Sequence, residues 1–180
     1  MNEVTLSDFV TNDVKLADIF AESKTLIQAA KSSKKTIATA ESCTGGLIGA
    51  AITSMTGSSA CFKGGIIAYD NSVKTKQLNI PVGMIHKYGA VSREVARAMA
   101  ANTIDILNVD LAVSVTGVAG PGGGSAAKPV GTVWMGLSQR RADGIETRTK
   151  CFNFGDIGRN KVRDATCYEA LKALNAALGA

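Results

Sequence analysis

Residues 36–54 read TIATAESCTGGLIGAAITS, which is a short apolar run, a polar turn and a second apolar run. The β-branched residues within 36–40 predict a strand, and residues 44–54 predict a helix for which Thr44 is a suitable N-cap. The turn between them, residues 41–46, is polar and carries glycines that favour close approach of another backbone or a ligand. A strand that passes through such a turn into a helix is typical of α/β proteins.

The rest of the chain continues this alternation. Apolar residues at three- and four-residue spacing predict helices, and alternating apolar residues predict strands. Asn71 and Ser92 are the expected N-caps of two helices, and Pro81 ends the first of these two. Helices are predicted at 14–31, 71–78, 92–108 and 158–178, and further strands at 64–69, 110–116, 130–138 and 146–154, with a turn at 142–144. The order predicts a single-domain α/β fold: a three-layer α/β/α sandwich with a mixed β-sheet.

The composition is that of one folded domain. The chain has 180 residues, of which 46% are hydrophobic and 19% charged, so it is long and apolar enough to bury a core. Residues 1–12 are interpreted as a mobile N-terminal tail and residues 13–180 as the domain. The start of the chain has no basic segment followed by an apolar one, and no apolar run reaches the roughly 18 residues of a membrane span. A cytoplasmic protein with no membrane partner is predicted.

Charge and rare residues exclude several classes of function. The formal charge is +5, but the lysines and arginines are scattered and only 5% of residues are aromatic, so nucleic acid is not a predicted partner. An anionic small molecule explains the positive excess equally well. The four cysteines lack Cys-x-x-Cys spacing, which fits a reducing compartment. His86 is the only histidine, which excludes a multi-histidine metal centre; no metal or cofactor is predicted.

Polar stretches follow three of the predicted strands, at 41–46, 69–74 and 116–125. Open α/β sheets place ligand sites at such strand ends. Glycines at 117, 120, 122, 123 and 124 would let backbone N–H groups surround an anion, although a flexible surface loop has the same composition. The sequence contains no Walker P-loop, no dinucleotide-binding glycine motif and no G-x-S-x-G elbow.

A nucleophile must therefore act without a histidine partner. Burial lowers the pKa of a lysine, and a neutral lysine can activate a serine. Ser58 or Ser59, with Tyr69 and Lys74, could form such a site, but each residue alone also has an ordinary structural explanation as a turn, strand-end or helix-face residue. Cys43 is either a thiolate favoured at a helix N-terminus or, more commonly, a buried inert thiol.

Four stretches taken together resemble the CinA C-terminal domain family. They are AESCTGGLIG, GSSACFKGGIIAYDNSVK, KYGAVSREVARAMA and SVTGVAGPGGGSAAKPVGTVWMGL, in this order, and the resemblance runs from about Ile37 to the final helix. Characterised members of the family are nicotinamide-nucleotide amidohydrolases. The resemblance implies hydrolysis of the carboxamide of nicotinamide mononucleotide, to nicotinic acid mononucleotide and ammonia, by a Ser/Lys dyad without a metal.

The resemblance also implies roles for particular residues. By motif position Ser59 would be the nucleophile and Lys74 the base, and Tyr69 would assist them. The 5′-phosphate would bind to the glycine loop and to an arginine. Residues 155–159 depart from the family pattern by an apparent insertion, so this arginine is either Arg159 or Arg163, and Arg159 is preferred. The complete set of expected substrate-binding residues is Ser42, Thr44, Gly45, Gly46, Thr116, Gly117, Gly120, Gly122, Gly123, Arg159 and Arg163.

Two alternatives to the Ser/Lys amidase remain open from the sequence. One is an amidase in which Cys43 is the nucleophile. The other is a nucleotide-binding regulatory module without turnover, of the competence and damage-inducible type. Cys61 and Asp70 stand where relatives often have tryptophan and serine, so the pocket is expected to differ there. The length leaves no room for a second large domain, so the stand-alone form of the family is expected. Family members tend to self-associate, so a homo-oligomer is also expected.

Overall fold

The computed structural model describes residues 14–180; the predicted tail at residues 1–12 lies outside the described residues. Helices and strands alternate along the first two thirds of the chain, and a hairpin and a long helix complete it. The helices are α1 (Leu16–Ser32), α2 (Leu47–Thr53), α3 (Asn71–Leu78), α4 (Val82–Tyr88), α5 (Arg93–Ile106) and α6 (Arg159–Leu178). The strands are β1 (Ile37–Glu41), β2 (Phe62–Ile67), β3 (Leu111–Gly117), β4 (Thr132–Arg141) and β5 (Gly144–Asn153).

The strands form one mixed sheet in the order β2-β1-β3-β4-β5. Strands β2, β1 and β3 are parallel, and Glu41 at the end of β1 is in register with Ile67 on one side and Val115 on the other. Strand β4 pairs antiparallel with β3, and β5 pairs antiparallel with β4 through the two-residue turn at Ala142 and Asp143. The carboxyl ends of the three parallel strands therefore meet at one edge of the sheet.

Helices cover both faces of the sheet, which confirms the three-layer prediction. Helices α1, α2 and α6 pack together on one face, and α3, α4 and α5 pack on the other, where α5 contacts β3, β4 and β5. The larger apolar core lies under α1, α2 and α6 and includes Leu26, Ile48 and Leu171, all inaccessible to solvent. A second core under α3 and α5 includes Leu78 and Met99. Both faces of the central strands are consequently buried.

Several boundaries differ from prediction for local reasons. Helix α2 begins three residues later than predicted, and Thr44 is not its N-cap: the capping position is Gly46, which has φ +97°, and the Thr44 hydroxyl donates to Glu41 instead. Helix α3 is capped by Asp70 and not by Asn71. The predicted Ser92 cap of α5 is confirmed, because its hydroxyl accepts a hydrogen bond from the Val95 N–H.

The remaining differences concern short elements. Helix α4 was not predicted, because its seven residues directly after Pro81 show little periodicity. The two hairpin strands extend further toward their shared turn than the predicted bounds, since pairing continues to Arg141 and Gly144. Within residues 14–180, no helix has both the length and the apolar character needed to cross a bilayer.

Candidate active site

A cavity of about 240 Å³ opens where the carboxyl ends of β1, β2 and β3 meet. This edge is the usual ligand position in sheets whose connections run to opposite sides of a central strand, as they do here on either side of β1. The loops after all three strands contribute to it, and the first turn of α6 closes one side. Its lining residues are Ser42, Cys43, Tyr69, Asn71, Lys74, Ala90, Val91, Thr116, Gly117, Ala119 and Arg159.

Lys74 is the most unusual side chain in this cavity, because it is a lysine only 1% exposed to solvent. It lies on the inner face of α3. Its Nζ is 2.7 Å from the Ala68 carbonyl oxygen, 3.1 Å from the Tyr69 carbonyl oxygen and 3.1 Å from the Ser42 hydroxyl. Among the described residues it makes no ion pair with a carboxylate. A buried lysine with three neutral neighbours is expensive to keep charged.

Three hydrogen-bond partners surround the Lys74 amine, and burial disfavours its charged form. Burial lowers the pKa of Lys74, although the nearby Asp70 carboxylate and Cys43 oppose this shift. A neutral amine has two N–H donors, which the carbonyl oxygens of Ala68 and Tyr69 accept, and one lone pair. The third contact runs from Nζ to the Ser42 hydroxyl at 3.1 Å in the structure; a neutral amine would instead accept a hydrogen bond from that hydroxyl. The amine of Lys74 and the hydroxyl of Ser42 are thus direct hydrogen-bond partners.

Ser42 stands at the first position after β1, where the chain turns sharply toward α2. Its N–H donates to the Val115 carbonyl and so continues the sheet for one more residue. The Glu41 side chain, 1% exposed, fills the inside of the turn and accepts hydrogen bonds from the Thr39 and Thr44 hydroxyls. It also accepts the N–H groups of Gly46, Ile48 and Gly49 at 2.8–3.0 Å.

Glu41 therefore occupies the place that a bound anion would take. Among the described residues it has no cationic partner, and its charge is stabilised by the N–H groups at the start of α2 together with the two hydroxyls. Gly46 was expected to bind substrate, but its backbone N–H already donates to Glu41. Gly45 donates its N–H to the Ser42 carbonyl, and neither glycine nor Thr44 lines the cavity.

Ser59 is far from Lys74. It lies exposed in a single 3-10 turn, Ser58–Ala60, which precedes β2, whereas Lys74 follows β2. A strand of this length separates its two ends by about 17 Å at 3.3 Å per residue. The predicted pairing of Ser59 with Lys74 within one chain is therefore wrong. The serine that contacts the lysine is Ser42, which had been expected only to line the site.

Tyr69 and Arg159 meet at the mouth of the cavity. Arg159, in the first turn of α6, donates from Nη2 to the Tyr69 phenol oxygen at 2.9 Å and from Nη1 to the Gly120 carbonyl at 3.0 Å. Arg163, one helical turn later, donates instead to the Thr44 carbonyl and does not line the cavity. Of the two arginines, Arg159 is the one whose guanidinium faces the site.

The glycine loop contributes less than expected. Thr116 and Gly117, at the end of β3, line the cavity, and the Thr116 hydroxyl is held by the Ala90 carbonyl at 2.9 Å. Gly120 is buried and offers its carbonyl to Arg159. Gly122 and Gly123 are solvent-exposed and lie outside the lining of the cavity. Only the first part of the loop belongs to the site.

Cys43 lines the cavity but is a poor nucleophile. Its side chain is buried, and burial, helped by the Glu41 carboxylate, raises the pKa of its thiol to about 12. The thiolate, not the thiol, is the reactive form of cysteine. The N–H groups at the start of α2 were expected to stabilise a Cys43 thiolate, but they donate to the Glu41 carboxylate instead. The environment disfavours the alternative in which Cys43 attacks.

Sequence reasoning missed some parts of the site. Glu41 was quoted as part of the polar turn without a role; its position before a run of small residues that leads into a helix was the available signal. Asn71 was interpreted as a cap and lines the cavity. Ala90, Val91 and Ala119 also line it, and nothing in their residue type marks them. Within residues 14–180 no three His, Cys, Asp or Glu side chains lie close enough to share a metal ion.

Fold and site together define a three-layer α/β protein with a ligand cavity at the carboxyl ends of its parallel strands. The sequence model of the CinA C-terminal domain matches residues 20–178, so the chain belongs to this family. A CinA-like protein from Geobacter sp. (strain M21) is 51% identical over 144 residues, which cover 79% of this chain and 33% of the relative. The chain thus spans about a third of the length of the curated relatives it matches.

Solved structures agree with this assignment. The competence/damage inducible protein CihA from Agrobacterium tumefaciens has a TM-score of 0.85 at 40% identity, covering 91% of this chain and 96% of that one. A CinA superfamily protein from Escherichia coli has a TM-score of 0.85 at 25% identity, covering 100% of this chain and 99% of that one. Both match nearly their full lengths, so the fold of this chain is that of the CinA superfamily.

Proposed function

We propose that this chain is an amidohydrolase that converts nicotinamide mononucleotide and water to nicotinic acid mononucleotide and ammonia, a reaction of pyridine nucleotide salvage. The observation that carries the proposal is the contact between the buried Lys74 amine and the Ser42 hydroxyl. Ser42 takes the role of nucleophile that sequence reasoning gave to Ser59. Lys74 keeps its predicted role as the base.

The first half of the reaction forms an acyl-enzyme. Lys74 takes the proton of the Ser42 hydroxyl while Oγ forms a bond to the carboxamide carbon, and the π electrons of the carbonyl move onto its oxygen. When the carbonyl re-forms, the C–N bond breaks. The leaving nitrogen takes the proton from the Lys74 ammonium and departs as ammonia. A base of lowered pKa suits both steps, since it must accept and then release one proton near neutral pH.

The second half consumes water. A water molecule gives a proton to Lys74 and its oxygen attacks the acyl carbon, after which the bond from that carbon to Ser42 Oγ breaks. The serine oxygen takes the proton from Lys74, and a carboxylic acid is released. Atoms balance as amide plus water giving acid plus ammonia, and Lys74 and Ser42 return to their starting states.

The cavity supports a substrate with a small reacting end and an anionic far end. About 240 Å³ is less than the roughly 300–1,000 Å³ of sites that enclose a whole ligand, which fits a pyridine carboxamide with its ribose phosphate outside. Arg159 at the mouth offers a guanidinium to that phosphate. Tyr69 accepts a hydrogen bond from Arg159, so we assign it a role in positioning the phosphate-binding group.

The test is ammonia release from nicotinamide mononucleotide by the wild type, Ser42→Ala and Ser59→Ala. We expect release by the wild type and by Ser59→Ala, and loss of at least about a thousandfold in Ser42→Ala, the size of effect seen when a nucleophile of this kind is removed. Ser59→Ala is a matched control because it removes the same hydroxyl outside the cavity.

The other outcomes are equally informative. Activity retained by Ser42→Ala but lost in Ser59→Ala would contradict the assignment of the nucleophile. Absence of ammonia release from the wild type, together with stabilisation by the nucleotide, would favour a regulatory binding module. The expected homo-oligomer and cytoplasmic location stay predictions, and sedimentation of the purified protein tests the former.

A further inference from the structure

We propose that the backbone N–H groups of Cys43 and Thr44 form the oxyanion-binding site, where the substrate carbonyl oxygen becomes negatively charged. The inference rests on the proposed attack by Ser42, since these two residues directly follow it. In serine hydrolases with a strand–turn–helix nucleophile, the N–H after the nucleophile has this position. The argument here comes from the hydrogen bonds of this turn.

The N–H groups of residues 42–50 have oxygen acceptors inside the protein with two exceptions, Cys43 and Thr44. Among the described residues neither of these N–H groups donates to an oxygen, and the acceptor near both is the Cys43 sulfur, a weak one. Acceptors are present for the N–H groups of Ser42 (Val115 O), Gly45 (Ser42 O), Gly46 and Ile48 (Glu41 Oε2), Leu47 (Thr44 O), Gly49 (Glu41 Oε1) and Ala50 (Gly46 O). The two open donors are therefore next to each other in the chain, and every other N–H group of the turn has an oxygen acceptor.

Both residues with open donors are buried. Cys43 is 6% exposed and Thr44 is fully inaccessible to solvent. A backbone N–H that is buried without an acceptor destabilises a protein, and the great majority of such groups have a partner. Two consecutive N–H groups without an oxygen acceptor, in a turn whose other donors all have one, therefore point to an acceptor that arrives with a ligand.

The first of the two donors belongs to Cys43, which lines the cavity, and the second belongs to the residue that directly follows it. Both also act on the Cys43 sulfur, since hydrogen bonds from these two N–H groups lower the pKa of its thiol against the larger effect of burial. The Cys43 side chain itself lines the cavity beside Ser42. The substrate carbonyl oxygen is bound to the carbon that Ser42 attacks. We infer that it comes within hydrogen-bond distance of these two N–H groups, which in oxyanion sites is about 2.7–3.1 Å.

Three other polar side chains of the cavity already have acceptors for their donors. The Thr116 hydroxyl donates its only proton to the Ala90 carbonyl. Lys74 directs its donors to carbonyl oxygens and serves as the base. Arg159 lies at the mouth, where it donates to Gly120 and to a phenol. The start of α2 is saturated by Glu41, so the open donors are those of the turn and not of the helix.

A backbone substitution tests the proposal directly. Replacing Thr44 by its α-hydroxy acid changes the N–H to an oxygen and leaves the side chain intact. We expect kcat to fall roughly a hundredfold with KM nearly unchanged, the effect of losing one oxyanion donor. The same replacement at Leu47, whose N–H lies 3.4 Å from the Thr44 carbonyl, is the matched control and should leave kcat within a few-fold. An equal loss at both positions would overturn the proposal.

A covalent adduct supplies a readout independent of the substrate. Methanesulfonyl fluoride should sulfonylate Ser42: the Oγ–S bond forms, fluoride leaves with the S–F electrons, and Lys74 takes the serine proton. A crystal structure of the adduct should place a sulfonyl oxygen within about 3.1 Å of both N–H nitrogens. In solution, the amide proton signals of Cys43 and Thr44 should move downfield, while those of Gly46 and Gly49, bonded to Glu41, stay in place.

The outcomes separate this inference from the proposed function. A sulfonyl oxygen bound to Thr116 or Arg159, or turned to solvent, overturns the oxyanion assignment even if the wild type releases ammonia from nicotinamide mononucleotide. An adduct bound by both N–H groups in a protein that releases no ammonia supports the oxyanion site and contradicts the proposed substrate. Failure of Ser42 to react overturns the inference together with Ser42 as nucleophile.

Discussion

At the scale of single residues, Lys74 has an environment opposite to that of an ordinary lysine. Its amine is buried, and its neighbours are two carbonyl oxygens and a hydroxyl, none of which carries a charge. The charged form therefore loses hydration without gaining an ion pair. This environment lowers the pKa of Lys74, and the same burial makes the stability of the fold depend on pH.

Lys74→Met should change how stability depends on pH. The folded-state pKa of Lys74 is depressed, so its destabilising effect is greatest below that pKa and fades as the pH rises toward the unfolded value of about 10.4. The free energy of unfolding of the wild type should therefore rise relative to that of Lys74→Met across this interval, with a slope of about 1.4 kcal/mol per pH unit. Urea denaturation between pH 7 and 10 measures it.

Lys76→Met is the matched control for this measurement. Lys76 is exposed on the same helix, two residues further along, so its substitution should leave the pH dependence of the wild type intact. Unfolding curves of Lys74→Met that stay parallel to those of the wild type over the whole range would show that Lys74 is hydrated and charged in the folded protein.

Asp70 should tune the pH at which the base is active. Its carboxylate raises the pKa of Lys74, against the effect of burial, and it also caps α3 by accepting the Ser72 N–H. Asp70→Ser keeps a capping oxygen but removes the charge. The acidic limb of kcat/KM should consequently shift to lower pH, because the neutral amine becomes populated at lower pH.

The pH profile of ammonia release at low ionic strength is the measurement for Asp70→Ser. Asp143→Ser serves as the control, because Asp143 lies in the β4–β5 turn at the opposite edge of the sheet. A shift of the limb to higher pH would contradict the electrostatic role of Asp70, as would equal shifts in both variants.

At the scale of elements, the start of α2 depends on one carboxylate. Helix α2 has only seven residues and no side-chain cap at its N-cap position, Gly46. Glu41 performs this function from the end of β1 by binding the N–H groups of Ile48 and Gly49. The strand and the helix are thereby connected through a buried hydrogen-bond network, and Ser42 sits between them.

Glu41→Gln should destabilise the protein strongly. The amide places N–H donors against backbone N–H donors and removes the charge that strengthens these bonds, so we expect a loss of about 3 kcal/mol in the free energy of unfolding. Glu146→Gln is the control, because that exposed carboxylate on β5 pairs with Arg141 and Arg148 in solvent, where ion pairs contribute little. Similar denaturation midpoints for the two variants would contradict the structural role of Glu41.

At the scale of the whole molecule, the cavity assembles segments that are far apart along the chain. The end of β1, the loop after β2, the end of β3 and the first turn of α6 all contribute. Arg159 joins three of these parts, since it contacts the phenol of Tyr69 and the carbonyl of Gly120. The mouth of the site therefore depends on correct packing of α6 against the sheet.

Arg159→Lys should weaken substrate binding without slowing the chemical steps. A lysine cannot make the forked contact to Tyr69 and Gly120 and would hold a phosphate less well. We expect KM to rise about ten- to a hundredfold, as for loss of a charge-assisted hydrogen bond, with little change in kcat. Arg163→Lys is the control, because Arg163 binds the Thr44 carbonyl outside the cavity. The reverse ranking of the two variants would assign the phosphate to Arg163.

Local patterns determined the class of fold before any contact was known. Apolar periodicity predicted the five strands and all helices but α4, and the order of elements predicted helices on both faces of a mixed sheet. These features follow from neighbours a few residues apart, which is why they can be read along the chain. The same local information identified the turn at 41–46, Lys74 and the end of β3 as parts of a site.

The pairing of groups across the site was decided only by the tertiary structure. Ser42 and Ser59 are both serines in small, polar stretches, and nothing local distinguishes them as partners of Lys74. The parallel arrangement of β1 and β2 does: it brings the ends of the two strands, and thus Ser42 and Lys74, to one edge and leaves Ser59 at the other. Likewise the burial that lowers the pKa of Lys74 comes from the packing of α3 on the sheet, a property of the folded chain as a whole.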